Sequence, residues 1–225
     1  HARPEMRVLS NTAISLDGRI NTVEGTFTSL GTPNDHARMS RVRARADAVL
    51  VGGATFRNWP HPSLPEGEDL AALTRPVWNV VVTRTLDIPI HADFLAEPRI
   101  RPLFIAPAAV VPAGFPVPVE AYPGPEPSIP IPFILDAMRR RGVETLLVEA
   151  GGDLLFQFLA ASALDELFVT LCPLVIGGNT PSLADGRGFR FADMARLRLR
   201  SSEAMGDEIF LHYEVDRAAG PAQAG

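Results

Sequence analysis

Residues 146–155 read LLVEAGGDLL, an apolar run closed by the carboxylate of Glu149 and then by Gly151-Gly152 before Asp153 and Leu154. A carboxylate there can hydrogen-bond a substrate. The glycine pair lets the backbone approach a ligand without Cβ interference, and a helix opening at Asp153 offers unbonded N–H groups to a phosphate. VGGATF (51–56) repeats the design with Thr55 at the start of a short helix, and VIGG (175–178) ends a strand the same way. A single glycine pair after a strand is equally a tight turn, and a solvated strand-end residue is the lesser reading of Glu149 alone. Three such ends together point to a long ligand laid across a sheet edge. None is a GxGxxG fingerprint, so a standard Rossmann dinucleotide site is not supported.

Other chemistries find no footing. All 21 basic residues are arginines, which removes Schiff-base lysines and the lysine of a phosphate-binding P-loop. No GxSxG elbow and no zinc-deaminase signature is present. The five histidines, His1, His36, His61, His91 and His212, are scattered without metal-ligand spacing, and no metal is expected. A net charge of −5 argues against nucleic acid or an anionic membrane as partner. It leaves room for a small anionic ligand at local arginines or helix N-termini. The single cysteine, Cys172, fits a reducing compartment. No run approaches the roughly 18 apolar residues of a membrane span, and no signal-peptide pattern opens the chain. The expectation is a soluble cytoplasmic protein with flexible ends over 1–6 and 218–225.

These residues need a scaffold that collects strand ends. Strand composition is read at 7–15, 48–53, 77–83, 101–106, more weakly at 115–122, then at 144–150 and 166–178. The prolines of 115–122 mark an edge strand. Thr32-Pro33-Asn34-Asp35 announces a helix to about Ala46, with Thr32 as N-cap and Asp35 near the positive end. Helices are also read over 129–141, closed by Gly142, and over 153–161. Segments 197–205 and 208–215, joined at Gly206-Asp207, form a terminal hairpin. The βαβ order with short apolar strands predicts one α/β domain over 7–216, a mostly parallel sheet finished by an antiparallel hairpin.

SNTAISLDGRI (10–20), VRARADAVLVGGATF (42–56), LLVEAGGDLL (146–155) and PLVIGG (173–178) together resemble the pyrimidine reductases of riboflavin biosynthesis. The likeness covers about residues 7 to 216. It implies a dihydrofolate reductase-like three-layer fold, a homodimer, and NADPH as cofactor. The implied reaction is hydride transfer to the anomeric carbon of a ribosylaminopyrimidine 5′-phosphate, opening the ribose to a ribityl chain. By the same resemblance, Glu149 hydrogen-bonds the substrate, and Gly151, Gly152, Asp153 and Leu154 hold the cofactor pyrophosphate. Thr55 lies on the cofactor side. Arg43 meets the substrate phosphate, its other reading being a helix-surface arginine. Arg19 faces the substrate, with Ser15 and Asn11 close by, whereas Asp17 is read as a turn residue.

Two departures from the family pattern stand out. An aspartate usual shortly after the matching threonine is absent, and Asn58 takes the place without its charge. After the third strand, Thr83-Arg84 replaces Asp-Ser; Arg84 either pairs with the 2′-phosphate of NADPH or is a plain exposed charge. Trp59 either stacks on a ligand ring or packs under the Pro60/Pro62 loop. The altered 56–65 segment keeps a rival open, reduction of another pterin or pyrimidine such as dihydrofolate. A non-catalytic nucleotide-binding relative is the third reading.

Overall fold

A computed structural model describes residues 5–26, 29–125 and 128–216. The flexible ends expected at residues 1–4 and 218–225 lie outside the described residues. The elements in chain order are β1 (Arg7–Ile14), α1 (Pro33–Arg43), β2 (Ala48–Gly52), α2 (Gly53–Asn58), α3 (Gly67–Ala71), β3 (Val77–Val82), α4 (Ala92–Ala96) and β4 (Ile100–Pro107). They continue with β5 (Val119–Tyr122), α5 (Ile131–Arg140), β6 (Thr145–Val148), α6 (Gly152–Ala160), β7 (Glu166–Leu171), β8 (Arg196–Met205) and β9 (Glu208–Asp216). The described residues divide into two compact units, one drawn from residues 5–6 and 37–149, the other from 7–36 and 150–216.

In the first unit the strand order is β5-β4-β3-β2-β6, and every pairing is parallel. Such strands are covered on both faces, which is why VLV, VVV and LFIA read as unbroken apolar runs. Leu50, Leu103, Phe104, Ile105, Leu146 and Leu147 are at most 1 % exposed. Helix α5 contributes Ile134 and Met138, both fully buried. Phe56 of α2 meets Phe94 of α4 edge-on at 4.9 Å and Phe104 of β4 at 5.6 Å. That aromatic contact fixes the short helix after β2, too short to be stable alone. Strand β5 is the outermost of this unit, the edge expected for 115–122, but it begins at Val119, just after Pro116 and Pro118.

In the second unit β1 pairs parallel with β7, and β7, β9 and β8 run antiparallel in that order. Its core holds Leu9, Phe158, Leu164, Leu167 and Phe210. Thr32 caps α1 as the sequence indicated, accepting from the Asn34 N–H at 3.2 Å. Its own N–H and hydroxyl both donate to Glu208, each at 2.7 Å, which satisfies a carboxylate with no solvent exposure.

Several sequence boundaries move. The helix expected to reach Ala46 ends at Arg43, and Ala44 and Arg45 continue only as a turn. The strand expected over 166–178 stops at Leu171, because Cys172-Pro173 leads into a loop. Gly177 and Gly178 therefore lie beyond any strand end, a correction to the third glycine pair. Helices α3 and α4 were not foreseen; each has five residues, too few for an apolar period to show.

Asp47 ties the entry of β2 to that of β6. It accepts from the N–H groups of Glu144 and Thr145, both at 2.9 Å, and pairs with Arg75. Replacing Asp47 by Ala strands those amides and is expected to cost about 1–3 kcal/mol in urea unfolding. Arg75→Ala, which removes a largely exposed partner, is expected to cost less than about 1 kcal/mol.

Candidate functional site

Strand β6 ends at Val148, and Glu149 follows with its N–H donating to the Leu50 carbonyl at 2.9 Å. This last ladder-type bond holds the carboxylate at the C-terminal end of a parallel strand, the place where open α/β sheets collect ligands. The Glu149 side chain is 11 % exposed and Arg43 15 %. Arg43, in the last turn of α1, meets it with a forked contact: Nε at 2.9 and 3.2 Å, Nη2 at 2.7 Å. Its Nη1 donates to the Leu64 carbonyl at 3.0 Å. Burial opposes the guanidinium charge, yet the Glu149 carboxylate, with Glu66 beyond it, holds Arg43 above its ordinary range. Arg43 is thus a buried partner of Glu149 and not a helix-surface charge. Three of its five N–H groups are engaged in these four contacts.

The other half of the first unit's candidates gathers after β2 and β3. Gly53 opens α2 where a Cβ would stand 2.5 Å from Thr83 Oγ1, so glycine is needed for this approach. The Thr83 hydroxyl is spent on its own turn, donating to the Thr85 carbonyl at 2.7 Å. Thr85 in turn accepts from Arg57 at 2.8 Å. Arg84 is exposed at the bend between them, Thr55 is half-buried and Asn58 is exposed. Trp59 is 51 % exposed and lies against His61, ring centroids 4.5 Å apart. Pro60, its neighbour, is buried.

In the second unit the SLDGR turn, the 174–185 loop and the start of α6 come together. Ser15 is fully buried; its hydroxyl donates to Asp17 at 2.6 Å and accepts from the Arg19 N–H at 2.9 Å. Asp17 accepts from Ile176 N–H at 3.1 Å and Gly177 N–H at 2.7 Å. These bonds, the one from Ser15 foremost, lower its pKa to about 2. Arg19 bridges to Ser182 through the backbone and donates from its guanidinium to the Thr180 carbonyl at 2.7 Å. Asn11, near the end of β1, is buried.

The glycine pair after Glu149 divides its work. A Cβ on Gly152 would collide with the Ser182 carbonyl and stand 2.8 Å from the Asp185 N–H. On Gly151 it would meet nothing within 4 Å. One glycine is required by the protein's own packing and the other leaves open space. Helix α6, nine residues long, starts there without a side-chain cap, with Asp153 and Leu154 in its first turn. Cys172, although buried, is no nucleophile: burial, and then Asp35 and Glu208, push its thiol up to about 12.

A model of the RibD C-terminal domain matches residues 6–211. The chain belongs to that family. A curated relative from Methanothermobacter thermautotrophicus, named 2,5-diamino-6-ribosylamino-4(3H)-pyrimidinone 5′-phosphate reductase, is 28% identical over 214 residues, 92% of this chain and 97% of that protein. Among solved structures, the Thermotoga maritima diaminohydroxyphosphoribosylaminopyrimidine deaminase/5-amino-6-(5-phosphoribosylamino)uracil reductase superposes with a TM-score of 0.75 at 18% identity. The match covers 94% of this chain and 57% of that one, so the chain spans little more than half of the bifunctional protein. Dihydrofolate reductase from Enterococcus faecalis, complexed with NADP(H), gives a TM-score of 0.53 at 14% identity, covering 93% of this chain and 96% of that one. The RibD-family fold is dihydrofolate reductase-like, with a mostly parallel sheet and a C-terminal antiparallel hairpin.

Four residues escaped the sequence reading. The Leu64 carbonyl and the Thr180 carbonyl hold Arg43 and Arg19, and backbone groups carry no signal in side-chain type. Ser182 and Asp185 did carry one, an S-x-x-D turn in which Asp185 accepts from the Ser182 hydroxyl at 2.5 Å.

The Asp17 staple has a pH signature. Because its carboxyl is depressed from 3.8 to about 2, the stability it adds is fully present above the ordinary value and is lost as pH falls through about 2. Compared with Asp17→Asn, amide-exchange protection at Ile176 and Gly177 is expected to be higher above about pH 4 and to converge toward pH 2. A gap independent of pH over that range would remove the carboxylate from the staple.

Proposed function

We propose that this RibD-family protein is an NADPH-dependent reductase of a 5-amino-6-(5-phosphoribosylamino)pyrimidine, converting its ribose to the ribityl chain in riboflavin biosynthesis. The observation that carries the reading is the family match over residues 6–211. Curated relatives of nearly equal length named as the pyrimidinone phosphate reductase support it. In the reaction the sugar ring opens to an imine, C1′ receives a hydride and the attached nitrogen a proton. The nicotinamide cofactor, when bound, supplies that hydride. The uncapped start of α6, where Gly151 leaves open space beside N–H groups suited to a pyrophosphate, supports a cofactor held there.

The chain's own residues then position and neutralise. Glu149, held by Arg43, accepts hydrogen bonds from the substrate, and Arg43's remaining N–H groups face a substrate oxyanion such as the phosphate. Arg19, with Ser15 fixing its turn, supplies a second cation, and Asn58 takes a neutral contact. Thr55 lies on the cofactor side. Thr83 shapes the turn that presents Arg84 to the 2′-phosphate. Asp153 and Leu154 bring their backbone N–H groups to the pyrophosphate. No nucleophile is needed; orientation and charge complementarity carry the rate. Residues 7–216 act as one reductase domain in this reading. The protein is a cytoplasmic homodimer, with Leu197, Leu199 and Ile209 of the hairpin exposed at 40 % or more as a surface for it.

NADPH oxidation should be followed with the diamino and the deaminated oxo substrate in parallel. Rapid oxidation with one form supports the reading and tells whether deamination comes first. Binding of NADPH with no turnover on either form would overturn it and make dihydrofolate and other pterins the next substrates. Turnover on none of these would leave a nucleotide-binding relative.

Two substitutions test the residues. Glu149→Gln keeps the shape but removes the charge that Arg43 neutralises, and is expected to lower kcat about 100-fold with little change in NADPH Kd. Arg84→Ala is expected to raise the KM for NADPH about tenfold and leave NADH nearly unchanged. Equal losses for both cofactors would remove Arg84 from the 2′-phosphate.

A further inference from the structure

The histidines that looked scattered in sequence are not all scattered in space. His61, on the segment after α2, and His91 and Asp93, at the start of α4, each offer a donor atom, and these atoms lie within 4.8 Å of one another. His61 Nδ1 is 2.6 Å from Asp93 Oδ2. His91 stands edge-on to His61, ring centroids 5.3 Å apart at 83°. Although His91 is the N-cap residue of α4, its side chain makes no cap hydrogen bond, so the imidazole is not committed to the helix.

We propose that His61, His91 and Asp93 form a binding site for one divalent transition-metal ion of the zinc or nickel type. Two imidazoles and a carboxylate are the donor set such ions prefer, and hard ions such as magnesium favour all-oxygen sites. Tetrahedral coordination places neighbouring donors about 3.3–3.5 Å apart, which small side-chain rotations reach from a cluster this tight. The ion displaces the proton shared by His61 and Asp93, and solvent completes its coordination on the exposed side.

The segment that carries His61 gives the site a consequence. Ser63 is clamped by the buried Asn79 amide, at 2.6 and 3.1 Å, and the Leu64 carbonyl accepts from Arg43. An ion at His61 pins the near end of a stretch whose far end helps hold the partner of Glu149. It acts as a staple across residues 59–64, independent of the identity of the substrate.

The test is titration of the purified protein, after treatment with a chelator, with Zn²⁺ by calorimetry and with Ni²⁺ by quenching of Trp59, whose ring lies 4.5 Å from that of His61. The expected result is one Zn²⁺ per chain, affinity at least about tenfold weaker in His61→Ala and in His91→Ala, and no competition by millimolar Mg²⁺. Ni²⁺ quenching is expected to vanish in Trp59→Phe and to weaken in both histidine variants. Asp93→Asn, which keeps the side-chain shape, should weaken Zn²⁺ binding as well, and circular dichroism checks that each variant is folded. No Zn²⁺ uptake by the wild type up to 1 mM (about the weakest affinity worth naming), or unchanged uptake in the histidine variants, would overturn the proposal.

Discussion

A carboxylate set at the end of a buried strand must be neutralised, and the Arg43–Glu149 pair meets that constraint. With both side chains at most 15 % exposed, removing one partner would leave the other's charge uncompensated, a loss of about 3–5 kcal/mol in typical buried pairs. The geometry makes the pair more than a neutralisation. The forked contact fixes the plane of the Glu149 carboxylate, and the Leu64 carbonyl fixes the guanidinium from its other side. The position of a candidate catalytic group is therefore set by a helix end, a strand end and a loop at once.

The second unit solves a different problem, how to leave a helix start open without leaving it loose. The N–H groups at the head of α6 have no side-chain cap, an arrangement that a phosphate can complete. Order comes instead from the surroundings. The SLDGR turn is held by Asp17 to residues 176–177, and the same loop continues to Ser182, whose carbonyl packs against Gly152. Three segments, the first more than 130 residues ahead of the other two, thus brace one another through hydrogen bonds to backbone groups and one close glycine contact.

This arrangement suits a reaction in which the protein supplies placement and charge and makes no covalent intermediate. The one cysteine is buried with its thiol pushed to about 12, and lysine is absent from the chain. What remains are arginines, a strand-end carboxylate and backbone donors, the groups that hold phosphates and polarise a sugar–amine linkage.

The sequence by itself determined the fold class and most of its elements, because unbroken apolar strands, a capped helix at Thr32 and a Gly-Asp hairpin are local signals. It also singled out Glu149, the glycine pairs and the SLDGR turn, since glycine and charge at strand ends are unusual choices. Only the tertiary structure decided how these residues are engaged. Arg43 turned out to be the partner of Glu149, Thr83 to be committed to its own turn, and Gly177-Gly178 to belong to a loop well past the end of β7. His61 and His91, 30 positions apart in the chain, proved to be neighbours. The physical reason is the same in each case: propensity and periodicity act over a few residues, whereas a hydrogen-bond partner or a ligand cluster is set by which distant segments the packed core brings side by side.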